Sequence, residues 1–199
     1  MNIEKNFTET DVVNGLTNPV LSNQKDIDYA KSIQIYVQEY VELMVNKLAG
    51  ADLLINLDYK SELHEEFNYG NNGPGFDRLH FPTKKRIQIK FRQTKGTTPY
   101  SRQLDIETTR RKSNKNINKS ETGHVSYSTD EFDYILFVIS HNLDGRPHFK
   151  NWNYSLVPAT ELEDVNKKGN LVTKVHPALL SENKCDNIYM LTDKLKNLK

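Results

Sequence analysis

"GFDRLHFPTKKRIQIKFRQ", residues 75–93, decides how the rest of this chain is read. Two alternating segments, "FDRLHF" and "RIQIKFRQ", flank the polar stretch Pro82-Thr83-Lys84-Lys85, and this pattern predicts a β-hairpin. On the second strand a period of two sends Ile87, Ile89 and Phe91 to one face and Gln88, Lys90 and Arg92 to the other. The hairpin also returns Asp77 to the neighbourhood of Gln88 and Lys90. Strict alternation groups Asp77 with Leu79 and Phe81, so a bulge or strand start at Gly75 is expected to turn it. Two readings are open. One is an amphipathic hairpin with ordinary solvated charges, and the other is a carboxylate, an amide and an ammonium gathered for phosphate chemistry.

Upstream, "DIDYAKSIQIYVQEYVELMVNKLAG" predicts a helix. Ile33, Tyr36, Val37, Tyr40, Val41, Met44 and Leu48 make its apolar stripe, and Gly50 is its stop. Residues 1–24 are polar and without period, a loose arm. The stretch "ADLLINLDYKSELHEEF" offers a second helical segment, and "NYGNNGPG" is a turn-rich connection.

Downstream, residues 94–124 form a long basic insertion with at most a short helix around "RQLDIETTRR". "DYILFVIS" is continuously apolar and is expected at the centre of a sheet, buried on both faces. "NYSLVPATEL" reads as a strand running into a short helix, with a weak strand near Ile188–Leu191. The expected fold class is α/β in a single domain over residues 1–199: a mixed central sheet flanked by helices on both faces.

Composition narrows the classes. At 199 residues with ten Tyr and eight Phe, the chain can bury a substantial core. The longest apolar run, Ile135–Ile139, is far too short to span a bilayer, and "MNIEKNFTET" holds no apolar signal core. A cytoplasmic protein with no membrane partner is expected. One cysteine, Cys185, permits no internal disulfide. The formal charge of +1 conceals a segregation: Lys84–Lys119 holds 12 bases against two acids, Asp105 and Glu107. With 27 bases and 26 acids in the chain, 15 bases and 24 acids remain elsewhere. A basic block on an acidic body suits a polyanion, because neutralising phosphates releases counterions.

Phosphodiester hydrolysis needs a divalent ion, an attacking water and a group to stabilise developing charge. Magnesium prefers hard oxygen ligands. Asp77 offers a carboxylate, Gln88 a side-chain carbonyl, and Ile89 a backbone carbonyl between them. Lys90 shares the face of Gln88 and can orient the water or meet transition-state charge.

With "GFD", a short turn, "IQIK" and the later "DEFDYILFVI", the chain resembles the PD-(D/E)xK nuclease superfamily, which includes most type II restriction endonucleases. The likeness covers residues 75–93 and 130–140 and departs from the pattern at Phe76, in place of Pro, and at Gln88, in place of Glu or Asp. An amide holds magnesium less tightly than a carboxylate and cannot act as a base. The resemblance implies a restriction-endonuclease-like fold, a Mg2+ cofactor and a helix glutamate joining the site. Glu42 is the candidate there, with Glu39, Glu65 and Glu66 behind it; a solvated helix face is the plainer place for Glu42.

The activity implied is a sequence-specific endodeoxyribonuclease acting on double-stranded DNA, as a homodimer with one centre per strand. A structure-specific nuclease of the same fold and a non-catalytic DNA-binding protein remain as alternatives. Candidate DNA contacts are Arg92, Lys95, Tyr100, Arg102, Gln103, Arg110, Arg111, Lys112, Asn114 and Asn116. Arg pairs with guanine and Asn or Gln with adenine in the major groove, while contacts to phosphates carry no sequence information.

Overall fold

A computed structural model describes residues 26–57, 76–94, 100, 103–107, 109–111, 124–126, 132–141, 152–162 and 172–199. Helix α1 (Asp26–Ala49) stops at Gly50, whose φ of 67° lies in the left-handed region that a residue without Cβ enters cheaply. Ile33, Val37, Tyr40, Val41 and Val45 recur every three or four residues and are buried. The stripe therefore runs as the sequence predicts, with Val45 added to it and Tyr36, Met44 and Leu48 at its margins.

The second helical segment does not begin where the sequence suggests it. Leu54–Ile55 instead form strand β1. Asn46 explains the change: its Oδ1 accepts from the backbone N–H of Leu53 and of Leu54, both at 2.9 Å, and its Nδ2 donates to the Leu54 carbonyl at 2.7 Å. One side chain thus satisfies peptide groups that a helix would have paired internally. Residues 58–75, the remainder of that segment with Glu65 and Glu66, lie outside the described residues.

Strand β2 (Arg78–His80) and strand β3 (Lys85–Thr94) form the expected hairpin. Lys84 carries the turn with a φ of 58°. The "RQLDIETTRR" segment is strand and not helix: β4 (Leu104–Glu107), then β5 (Thr109–Arg111), which pairs with β6 (His124–Ser126). Strand β7 (Tyr134–His141) is followed by β8 (Asn153–Pro158) and the 3-10 turn Ala159–Glu161. Then come β9 (Val172–Val175), α2 (Pro177–Glu182), β10 (Lys184–Cys185) and α3 (Ile188–Lys196). β4 pairs with β9, and Leu104 opposite Val175 is buried. That shared burial outweighs the weak local propensity of the segment.

The weak strand expected near Ile188–Leu191 is the start of α3. Asn187 caps it, accepting the Met190 N–H at 3.0 Å, and Ile188, Leu191 and Leu195 face inward at helical spacing.

Among the described residues six strands make one mixed sheet, ordered β1-β2-β3-β7-β8-β10. β3 and β7 run parallel, and the other pairs are antiparallel. α1 and α3 cover one face, against Ile87, Ile89, Leu136, Val138, Tyr154 and Leu156. Trp152 seals this layer, with Tyr40 at 5.3 Å and Phe91 at 5.4 Å between ring centres. The other face packs Leu79, Ile135, Phe137, Ile139 and Val157 against Phe76, Phe132, Leu104, Val175 and Leu180 of α2. β7 is buried on both faces, as a continuously apolar strand flanked by β3 and β8 must be. The protein is α/β, a mixed sheet with helices on either side. No helix among the described residues is long and apolar enough to cross a membrane.

Candidate active site

β2 accompanies β3 only as far as Ile87. Past that point the outer edge of β3 is satisfied by side chains, and this is where the predicted residues meet. Asp77 sits in the bend just before β2, its N–H bonded to the Ile87 carbonyl at 3.0 Å. The regular pairing ends at Arg78↔Ile87, and the Asp77 N–H on that same Ile87 carbonyl steps off its register, as at a bulge; Gly75 lies outside the described residues. Asp77 Oδ2 accepts from Gln88 Nε2 at 2.6 Å and from the Ile89 N–H at 2.7 Å.

Burial pushes the Asp77 carboxyl up, against the opposing pull of the Lys90 ammonium, the Ile89 N–H, Arg78 and the Gln38 side chain. Lys90, half-buried and on the same strand face as Gln88, is therefore near enough to act on Asp77 through its charge. The structure brings Asp77, Gln88, Ile89 and Lys90 together.

Helix α1 supplies the rest of the edge. Gln34 Nε2 donates to the Ile89 carbonyl at 2.8 Å, and Gln34 Oε1 accepts the Phe91 N–H at 2.9 Å. Gln38, one turn on, reaches Asp77. Glu42, one turn further, meets Arg78. Its Oε2 lies 2.5 Å from Arg78 Nε, an ion pair whose angles miss those of a hydrogen bond. Arg78 Nη2 bonds Glu39 Oε1 at 2.8 Å, and Nη1 bonds the Asp77 carbonyl at 2.7 Å. Glu42 is thus engaged by Arg78 and not by the Asp77 carboxylate. Burial pushes its carboxyl up, the Arg78 charge pulls it down, and Glu39 adds to the rise.

The sequence reading does not single out Gln34 or Gln38. Their spacing with Glu42, at i, i+4 and i+8, is the signal that marks them, since it runs a polar line along a helix buried on its other side.

Of the candidate DNA contacts, Tyr100 has a different employment. It packs on the second core, its hydroxyl donates to the Tyr154 carbonyl at 3.0 Å, and burial pushes its phenol up. This bond anchors the chain to β8. Arg92 is half-buried, with Nη1 on the Phe91 carbonyl at 2.8 Å, and Gln103 is exposed. Arg110 and Arg111 lie in β5, opposite Val125 and His124. Lys95, Arg102, Lys112, Asn114 and Asn116 fall outside the described residues.

A cleft of about 320 Å³ lies elsewhere, at the start of β3 and β7, lined by Lys85, Arg86, Phe132, Asp133, Tyr134, Pro158, Ala159 and Thr160. Asp133 closes it on Arg86, with Oδ2 on the Arg86 N–H at 2.7 Å and on Nε at 3.0 Å. It contains none of the hairpin triad.

As a home for magnesium the donor set fits in kind: one hard carboxylate and one amide able to turn its oxygen inward. It is sparse in number. Among the described residues no group of three or more His, Cys, Asp or Glu forms a metal cage. Magnesium habitually keeps several waters and draws further oxygens from substrate phosphates, so two side chains are enough to start a site. No protein-family model matches the chain, and no curated protein matches it at a significant level.

Proposed function

We propose that this protein is a magnesium-dependent, sequence-specific endodeoxyribonuclease of the type II restriction kind, acting as a homodimer on double-stranded DNA. The observation that carries the reading is the convergence of Asp77, Gln88 and Lys90 at the edge of β3, with Gln88 2.6 Å from the Asp77 carboxylate. Charge logic supports it as well. A half-buried carboxylate pushed toward its neutral form is one that a nearby cation would restore to its charged form.

In this reading Asp77 Oδ and, after a half-turn of its amide, Gln88 Oε1 would hold Mg2+, which supplies charge neutralisation at the scissile phosphate and acidifies a bound water. The Lys90 ammonium orients the attacking water and meets the negative charge that develops on the phosphoryl oxygens. Arg78, clamped by Glu39 and Glu42, fixes the backbone at Asp77. The basic window 84–119 supplies phosphate contacts, and its Arg, Asn and Gln side chains supply base-edge donors.

One observation favours a second reading, a DNA-binding protein without cleavage. Gln88 donates its amide N–H to Asp77, so the carboxylate is satisfied by a neutral partner. Incubation with plasmid and Mg2+ separates the possibilities. Discrete fragments are expected. Preference for branched DNA over plasmid would assign a structure-specific nuclease, and intact plasmid at every Mg2+ concentration would assign a binding protein.

A further inference from the structure

The Ile89 carbonyl is the third oxygen that the hairpin offers to a cation, and Gln34 already holds it. Gln34 Nε2 donates to Ile89 O at 2.8 Å while Oε1 accepts from the Phe91 N–H at 2.9 Å. Two opposed bonds fix one planar amide against β3 much as the peptide groups of a neighbouring strand would. The donated N–H uses one of the carbonyl's two lone pairs and sets a positive hydrogen in the approach of an ion.

Gln34 stands one helical turn before Gln38, which reaches Asp77 itself. The helix therefore touches both the carboxylate and the carbonyl of the same site. We propose that Gln34 is a positioning residue that occupies the Ile89 carbonyl, and that a divalent cation taking this oxygen as a ligand displaces the Gln34 amide. The inference rests on the reading of Asp77 and Gln88 as cation ligands.

A consequence follows from the rigidity of the amide plane. Displacing Nε2 from Ile89 also draws Oε1 from Phe91, because both atoms belong to one group. Cation binding should then loosen an amide two residues from the site, the reverse of the usual tightening by a ligand.

Nuclear magnetic resonance on the wild-type protein titrated with Mg2+ tests this. Shifts at the Gln88 side chain report ion binding, and hydrogen exchange at the Phe91 N–H and the Gln34 side-chain amide reports the lock. We expect exchange at both to quicken several-fold at saturating Mg2+, with the amides of β7 unchanged. Equal or greater protection at Phe91 with Mg2+ bound overturns the proposal. As a second arm, Gln34→Met should melt lower than wild type yet bind Mn2+ several-fold tighter, and equal or weaker binding overturns it too. Should wild type show no Mg2+ shift at Gln88, the cation reading fails and this inference falls with it. Mg2+ binding with the lock unmoved defeats this inference alone.

Discussion

Gln88 Nε2 and Asp77 Oδ2 lie 2.6 Å apart across the two arms of the 81–84 turn, although they stand eleven positions apart in the chain. The same oxygen takes the Ile89 N–H at 2.7 Å, so one carboxylate closes the edge of β3 where β2 departs. Lys90 acts on that carboxylate through its charge. The three groups therefore respond to one another, and substitutions among them should be felt as a unit.

Lys90→Ala should separate chemistry from binding. Removing one charge-stabilising donor from a preorganised site typically costs about 10²–10³ in rate. Cleavage of plasmid by this variant should fall by at least that factor, while its affinity for a DNA duplex in a gel-shift assay changes little. Cleavage at the wild-type rate would remove Lys90 from the mechanism.

Asp77→Asn should make the fold more stable at neutral pH. The folded carboxyl titrates above its ordinary value because burial disfavours the charge. Its contribution to stability is complete below the unfolded value of about 3.9 and is lost as pH rises through the folded value. The substituted amide, with its oxygen where Oδ2 stands, would keep an acceptor for both the Ile89 N–H and the Gln88 Nε2. The variant should thus melt a few degrees above wild type at pH 8, with about 2–4 °C per kcal/mol for a chain of this size, and the gap should close in acid. Mg2+ should raise the wild-type Tm and leave the variant unmoved. A variant that melts lower than wild type at pH 8 contradicts this.

How much of this is legible in the sequence depends on which partner each residue needs. The hairpin, α1 and β7 are legible because their own alternation or helical stripe states what they bury. α3 reads wrongly because Ile188, Leu191 and Leu195 form a short pattern whose helical start depends on the Asn187 cap. β4 reads as part of a short helix because its burial as a strand comes from Val175, some seventy residues away. Gln34 escapes notice for the same reason: its partners are backbone atoms of β3, and backbone leaves no mark in a sequence. Glu42 falls on a helix beside the hairpin, as expected, but nothing in the sequence foretells that Arg78 turns inward to meet it.

Arg78→Met should unfold the hairpin's entry before it affects chemistry. Its side chain is 3% exposed and faces Glu39 and Glu42, so removal strands two carboxylates in a poorly solvated layer. Breaking one side of a buried ionic cluster costs about 3–5 kcal/mol. Urea denaturation should show a loss in that range at pH 7. Replacing all three residues together by apolar ones should recover much of it, and a loss below about 1 kcal/mol for the single variant would show that the cluster is weakly coupled to the fold.

The central claim is that Asp77 and Gln88 hold a divalent cation within reach of Lys90. The anomalous difference map of a crystal soaked in Mn2+ examines this directly. An ion peak should stand at coordination distance, about 2.1 Å, from an Asp77 carboxylate oxygen, with the Gln88 amide oxygen turned toward it. A map with no peak beside Asp77, and with Gln88 still donating its N–H to that carboxylate, would contradict the account.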